Sequence, residues 1–189
     1  MRSSADVDFA AALSGAADRL HAELGSTPRP LALIDGRSGS GKSTLAADLV
    51  ARSGGRLQLV ALDDLYPGWD GLAAGVAEAL RCILRPHADG GSGTWHRWEW
   101  SLGRRAEAHT IDPNRPLLVE GAGLLTPESV ALADVSVWLE APESSRKRRA
   151  LDRDGETYRP HWDQWAAQEE THLAQHRPQD LATFVFSMP

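Results

Sequence analysis

Residues 36–44 constrain the fold of this chain more than any other feature, because they match the pattern Gly-x4-Gly-Lys-Ser directly after a short apolar run. The nine residues are Gly36, Arg37, Ser38, Gly39, Ser40, Gly41, Lys42, Ser43 and Thr44. Glycines let the backbone curl so that successive N–H groups point inward at anionic oxygens. The apolar run 31–35 is typical of a buried strand, and residues 44–52 of a helix whose N-terminus adds positive potential. The pattern predicts a strand–loop–helix unit that binds phosphate groups.

The two polar side chains after the last glycine indicate which phosphates are bound. Lys42 carries the charge that reaches the β and γ phosphates of a nucleoside triphosphate. The hydroxyl of Ser43 is suited to ligate Mg²⁺. The loop therefore predicts ATP, together with Mg²⁺, as the cofactor.

Strand-like and helix-like segments alternate along the rest of the chain. Further strands are predicted at 57–62, 117–121, 135–140 and 183–186, and further helices at 9–24, 72–84, 143–153 and 162–176. This alternation predicts an α/β fold with three layers, doubly wound around a mostly parallel five-stranded sheet. We expect one domain over 1–189, with an N-terminal helical segment at 1–25, an irregular substrate-side insert at 86–116 and a lid region at 143–160.

Composition excludes several classes of partner. The formal net charge of −6 argues against a broad nucleic-acid-binding face, which needs clustered Lys and Arg. A single cysteine, Cys82, excludes a disulfide framework within the chain. No apolar run approaches the roughly 20 residues of a membrane span, and the first residues lack the apolar core of a signal peptide. We expect a cytoplasmic protein without nucleic-acid or membrane partners, and a homodimer through the N-terminal helix stays open.

Four segments together resemble the uridine kinase-like (nucleoside kinase) family of P-loop NTPases. Residues 34–44 look like the opening of these kinases, residues 62–66 resemble their second-strand signature, and residues 118–121 their third-strand signature. Residues 145–154 are similar to their arginine-rich lid, although the spacing after Arg149 differs by one residue from the family pattern. The segments occur in the family's order. The resemblance implies a P-loop kinase fold with an arginine-rich lid helix.

The resemblance also implies catalytic roles, which the chemistry of phosphoryl transfer supports. Asp63, at the carboxyl end of a predicted strand, would be the base for the acceptor hydroxyl and would touch Mg²⁺ through water; Glu120 would hold the water shell of the metal. Arg149 and Arg153 would contact the migrating phosphoryl group, and Arg146 would bind the nucleotide. The alternatives are a turn acid at Asp63, a structural ion pair at Glu120 and a solvated basic helix.

The acceptor is expected to lie between Asp63 and the insert. The candidate substrate residues are Tyr66, Asp70, Arg97, Trp98 and Glu99. Aromatic plates beside a carboxylate and a guanidinium suit a nucleobase or a sugar. The alternative for the tryptophan-rich stretch is a hydrophobic plug that covers the edge of the sheet.

These observations favour an enzyme, a small-molecule kinase that uses ATP and Mg²⁺ to phosphorylate a hydroxyl of a nucleoside. One alternative is a kinase for another small metabolite or for a nucleotide, since the P-loop half would look the same. Another is a non-kinase regulatory ATPase that binds ATP. The sequence lacks the Asn/Thr-Lys-x-Asp stretch of GTPases and the Leu-Ser-Gly-Gly signature of transporter ATPases.

Overall fold

A computed structural model describes residues 4–189 of the chain. Its strands are Leu31–Gly36 (β1), Gln58–Ala61 (β2), Thr94–Glu99 (β3), Arg104–Thr110 (β4), Leu117–Glu120 (β5), Val135–Glu140 (β6) and Phe184–Ser187 (β7). Its helices are Ser4–Leu24 (α1), Lys42–Arg52 (α2), Leu72–Ala79 (α3), Arg85–Ala88 (α4), Pro127–Val130 (α5), Glu143–Tyr158 (α6), Trp162–His176 (α7) and Pro178–Leu181 (α8). A π-helical segment, Leu80–Leu84, joins α3 to α4, and 3-10 turns lie at Leu62–Asp64 and Arg159–His161.

Five strands form one parallel sheet in the order β2-β5-β1-β6-β7. In the centre of the sheet, Leu33 of β1 lies beside Val119 of β5 and Ser136 of β6. The carboxyl ends of β1, β2 and β5 therefore meet at one edge of the sheet, which is where ligands of such folds bind. The predicted five-stranded α/β fold is confirmed.

Apolar side chains on both faces of the sheet explain the layers. Leu31 and Leu33 belong to the cluster that includes residues of α3 and α7, whereas Ala32 and Ile34 belong to the cluster that includes residues of α1 and α2. Because successive side chains of a strand point to opposite faces, a strand covered on both sides is apolar throughout. Helices on each face give the three predicted layers.

The insert at 86–116 differs from the prediction of an irregular segment. Within it, β3 and β4 form an antiparallel hairpin whose register shifts between His96 and Trp98. The second strand, Arg-Arg-Ala-Glu-Ala-His-Thr, is mostly exposed and has almost no apolar residues. It therefore lacks the alternation of apolar and polar residues by which a strand is predicted from sequence. Backbone pairing with β3 stabilises it instead, and Trp95 of β3 is buried in the core.

The helices extend the predicted ranges at two points. The lid helix α6 continues from the predicted end at Arg153 to Tyr158 through a break at Gly155, where φ is 56°. The N-terminal helix α1 begins at Ser4, before the predicted start at residue 9. It packs on α2, with an ion pair between Asp18 and Arg52. The first three residues of the predicted 1–25 segment lie outside the described residues. None of the helices within residues 4–189 combines the length and apolar character needed to cross a membrane.

Candidate phosphate-binding and acceptor site

The backbone of the loop after β1 is tightly curled. Gly39 and Gly41 have φ values of 78° and 109°, which strain any residue with a side chain. A Cβ atom on Gly39 would also collide with the carbonyl oxygen of Arg146. Helix α2 begins at Lys42, directly after this curl, so its free N–H groups face the loop. The sequence-predicted strand–loop–helix unit is confirmed, and its geometry is that of an anion cradle.

The side chain of Lys42 lies against the loop rather than in solvent. Only 8% of its surface is exposed, and its Nζ donates to the carbonyl oxygen of Arg37 at 3.3 Å. Among the described residues it forms no ion pair with a carboxylate. An ammonium group held in this way is oriented and makes no direct ion pair with residues 4–189, so it is available to a phosphate oxygen.

Ser43 and Glu120 form the part of the site that fits a metal ion. The Ser43 hydroxyl donates to Oε1 of Glu120 at 2.9 Å, which joins the start of α2 to the end of β5. Glu120 is 4% exposed and makes no ion pair with any residue from 4 to 189, and its burial raises the pKa of the carboxyl. No cluster of three metal-ligating side chains occurs in that range. Mg²⁺ in phosphate sites usually takes one or two carboxylates plus phosphate and water oxygens, so Ser43 and Glu120 fit it.

Asp35, the fifth residue of β1, braces the phosphate loop against the segment after β5. Its buried carboxylate accepts hydrogen bonds from the backbone N–H groups of Gly36, Gly123 and Leu125 at 2.6, 2.9 and 2.7 Å. Nε2 of His172, on α7, lies 3.3 Å from Oδ2 of the same carboxylate. One side chain thus fixes two loops at the carboxyl edge of the sheet.

We expect Asp35→Asn to lower the free energy of unfolding by about 2–3 kcal/mol, because a carboxamide has one acceptor oxygen and leaves buried N–H groups without partners. Urea unfolding followed by circular dichroism measures this. The control is Asp18→Asn, which removes an exposed ion pair with Arg52 and should change the value by no more than about 0.5 kcal/mol. A loss below 1 kcal/mol for Asp35→Asn would contradict the bracing role.

Helix α7 contacts the first half of the phosphate loop through a buried carboxylate. Glu169 is 3% exposed and accepts from the backbone N–H of Ser38 at 2.7 Å and from Nε of Arg37 at 3.0 Å. Arg37 also pairs with Glu170. The Arg37 side chain is therefore turned away from the phosphate-facing side of the loop, although its backbone remains part of the curl.

A cavity of about 540 Å³ opens between the phosphate loop, the carboxyl ends of β2 and β5, and the lid helix. Lys42, Ser43, Glu120 and Asp63 all line it. Asp63 is exposed in the 3-10 turn after β2, and within residues 4–189 its carboxylate makes neither a hydrogen bond nor an ion pair. The structure thus brings the predicted base and the predicted phosphate contacts into one cavity.

Five aromatic rings also line this cavity. They are Tyr66, Trp69, Trp100, Tyr158 and Trp165. Trp69 lies at the centre of the group, stacked with Tyr158 at 5.4 Å between ring centroids and edge-on to Trp165 at 6.3 Å. Trp100, at the end of the hairpin, contacts Trp69 and donates from Nε1 to the backbone oxygen of Asp63 at 2.8 Å. The hairpin is therefore connected to the turn that carries the candidate base.

The structure separates the predicted acceptor residues. Tyr66 lines the cavity, but its hydroxyl donates to the buried carbonyl of Ala122 at 2.7 Å. Asp70 accepts from Gln164, and Arg97 is paired with Glu99 and Glu107. Asp70, Arg97, Trp98 and Glu99 do not line the cavity, so the structure does not bring them to the other site residues.

The three lid arginines occupy three different environments. Arg146 is 3% exposed and donates to the backbone carbonyls of Ala141 and Ser38, so it supports the loop without lining the cavity. Arg149 donates from Nε to the carbonyl of Gly39 at 2.8 Å. Arg153 lines the cavity and is paired through two hydrogen bonds with Asp154. Of the three, Arg153 alone lines the cavity that contains Asp63.

Several residues of the site were missed by sequence reasoning. Asp35 and Glu169 act on the loop through backbone N–H groups, and Tyr158 at the end of α6 and Trp165 of α7 line the cavity from segments far along the chain. Nothing in the local sequence around these residues distinguishes them from ordinary core or surface positions. Trp69 was not missed, because it directly follows the second predicted strand beside Tyr66 and Asp70, and that position connects it with the acceptor side.

Comparisons with known proteins show what the fold resembles. No protein-family model and no curated protein matches the chain. Among solved structures, a possible uridine kinase from Bacillus stearothermophilus has a TM-score of 0.67 and 21% identity, covering 92% of this chain and 98% of that one. A "putative fructose transport system kinase" from Silicibacter sp. TM1040 has a TM-score of 0.53 and 20% identity, also with 92% and 98% coverage. The chain therefore shares the uridine kinase-like P-loop fold.

Proposed function

We propose that this protein is a kinase that transfers the γ phosphoryl group of ATP to a hydroxyl of a small molecule. The observation that carries the proposal is the single cavity into which Lys42, Ser43 and the unpaired Asp63 all open. Phosphoryl transfer needs cations and a metal on one side of the migrating group and a carboxylate at the acceptor on the other. The fold it shares with two structures named as kinases supports the same conclusion.

The roles of the residues follow from their places in the cavity. The curled backbone and Lys42 bind the β and γ phosphates, and Ser43 with Glu120 would hold Mg²⁺, with Asp63 within its water shell. When bound, the metal supplies positive charge to the phosphate oxygens. Asp63 takes the proton of the acceptor hydroxyl as that oxygen bonds to the γ phosphorus and the bond to ADP breaks. Arg153 lies where it can neutralise charge on the migrating group.

The chemistry of the acceptor end favours an uncharged acceptor with a flat face. The wall is aromatic, and the cations among the described lining residues are Lys42, which belongs to the phosphate loop, and Arg153, which is paired with Asp154. A phosphorylated acceptor would bring a second dianion beside ATP without a free cation to receive it. Nucleobases stack on tryptophan, and sugars also pack their apolar faces on it. We propose a nucleoside as the acceptor, with a sugar or another uncharged metabolite as the alternative.

The test is an ADP-release assay at fixed Mg²⁺ with nucleosides, nucleoside monophosphates, sugars and vitamin alcohols as acceptors. We expect ADP release to depend on an uncharged acceptor and to exceed the acceptor-free rate by at least tenfold. A regulatory ATPase would release ADP at the same slow rate with every compound, and a nucleotide kinase would respond only to the monophosphates. Either outcome would contradict the proposal.

Trp100→Ala should raise the KM of the acceptor about tenfold and change the KM of ATP by less than twofold. An aromatic contact of this kind contributes about 1–1.5 kcal/mol, which corresponds to that factor. Steady-state kinetics with each substrate varied in turn measures the effect. The control is Trp98→Ala, on the same hairpin but outside the cavity, which should leave both constants unchanged. If Trp98→Ala raised the KM of the acceptor more than Trp100→Ala does, the acceptor would bind outside this cavity.

A further inference from the structure

Helix α1 reaches the phosphate loop through Phe9. The core positions of this helix, Leu13, Ala16, Ala17 and Leu20, are each at most 7% exposed. Phe9 lies one turn before them and is only partly buried. Its ring atoms are 2.9 and 3.3 Å from the position of a Cβ atom on Gly41, so the ring packs on the backbone of the loop. A residue that an amphipathic pattern assigns to the core therefore lies at the functional site.

Phe9 also holds the guanidinium of Arg149. The Cζ atom of Arg149 is 4.2 Å from the centre of the Phe9 ring, the geometry of a cation–π contact. Arg149 is further fixed by Nε on the carbonyl of Gly39 and by Nη1 on the carbonyl of Pro189. Its Nη2 is buried and has no hydrogen-bond partner among the described residues, and the side chain forms no ion pair with residues 4–189. The structure thus orients a guanidinium that keeps one donor without a hydrogen bond among the described residues.

Phe9 and Arg149 enclose a second cavity, of about 220 Å³, with residues 39 and 41–44 of the loop. This cavity shares Gly39, Lys42, Ser43 and Arg153 with the acceptor cavity, but its described lining contains no Asp or Glu. Because the acceptor lies on the side of Asp63, a triphosphate bound along the loop must direct its nucleoside end to the other side, past Thr44. That side is the one formed by Phe9 and Arg149.

We propose that Phe9 and Arg149 form the platform that binds the nucleoside end of ATP, so that α1 is part of the nucleotide site. Phe9 is a positioning residue: it fixes the guanidinium, whose spare Nη2 donor and flat surface are offered to the α phosphate, ribose or base. The inference rests on the proposed function, since it takes ATP as the ligand. It assigns to the N-terminal helix a role in nucleotide affinity, in addition to its packing on α2.

The experiment is isothermal titration calorimetry of the full chain with two ligands, Mg²⁺-ATP and Mg²⁺-tripolyphosphate. Tripolyphosphate occupies the phosphate loop but has no nucleoside end. Phe9→Ala should weaken ATP binding about tenfold and leave tripolyphosphate binding within twofold of the wild type. Phe9→Tyr should restore ATP binding, because it keeps the aromatic ring. Val7→Ala, on an exposed part of the same helix, is the matched control and should change neither affinity.

The outcomes separate this inference from the function on which it rests. Equal ATP affinity in Phe9→Ala and the wild type would overturn the inference alone. Equal losses for both ligands would also overturn it, because Phe9 would then act only by supporting the loop. A wild-type protein that binds neither ligand would overturn the proposed function, and the inference with it. Melting curves of each variant without ligand show whether a loss of ATP affinity comes from unfolding. If Phe9→Ala unfolds, Phe9→Leu replaces it, because leucine keeps the apolar packing but removes the aromatic face. Phe9→Leu should show the same selective loss of ATP binding.

Discussion

Lys42→Ala is expected to weaken the binding of Mg²⁺-ATP by at least about 100-fold and to lower turnover by about 1,000-fold. In the proposed complex the ammonium group would contact the β and γ phosphates, and charge-assisted hydrogen bonds of this type contribute about 1.5–3 kcal/mol each. The wild type should show a rise in melting temperature with ATP, since a ligand that binds only the folded state stabilises it. The variant should show no rise at the same concentration.

The control for this prediction is the other lysine of the chain. Lys147→Ala removes the same functional group from the lid helix, where it lies over the ring of Trp162 and lines neither cavity around the loop. It should keep the stabilisation by ATP. Because Nζ of Lys42 makes one hydrogen bond to a loop carbonyl, its removal should leave the ligand-free melting temperature nearly unchanged. Wild-type ATP affinity in Lys42→Ala would mean that the loop is not a nucleotide site.

Asp63→Asn is the second variant with a large expected effect. It should lower kcat about 100- to 10,000-fold, the usual contribution of a positioned base, while ATP affinity changes by less than about threefold. The carboxylate is exposed and without a protein partner, so the substitution should not destabilise the fold. Single-turnover transfer measures the chemical step, and calorimetry measures ATP binding separately.

The neighbouring carboxylate provides the matched control for Asp63. Asp64 is half-buried, lies outside the cavity and has a pKa raised by its burial and by the charge of Asp63. Asp64→Asn should keep kcat within about threefold of the wild type. A near-normal rate in Asp63→Asn, or a larger loss in Asp64→Asn, would show that the base has been assigned to the wrong residue.

The sequence was most informative where the structure is local. The phosphate loop could be predicted because the φ values of Gly39 and Gly41 and the start of α2 at Lys42 are properties of consecutive residues. The five parallel strands could be predicted for a similar reason, since each is a short apolar run that is buried on both faces. The turn that presents Asp63 follows directly from the end of β2.

Features that depend on distant partners could not be predicted. Arg146 and Arg149 share a helix face, as their spacing indicates, but that face meets the carbonyls of Ser38 and Gly39, about 110 residues away in the chain. The sequence pattern is the same whether an arginine donates to a backbone carbonyl or binds a phosphate, so it does not distinguish the two. The acceptor residues show the same limit, because Arg97 pairs with Glu99 on its own strand and with Glu107 across the hairpin, while Trp100 reaches the cavity. The hairpin itself was hidden by the polar composition of β4.

The fate of the γ phosphate tests the central claim most directly. ATP labelled with ³²P at the γ position would be incubated with the wild-type protein, Mg²⁺ and a nucleoside, and the labelled products separated by thin-layer chromatography. The account predicts label in a phosphate monoester of the nucleoside, with little free phosphate, and no such product with Asp63→Asn. Label that appears only as inorganic phosphate for every uncharged acceptor would contradict it, because the cavity would then serve hydrolysis rather than transfer.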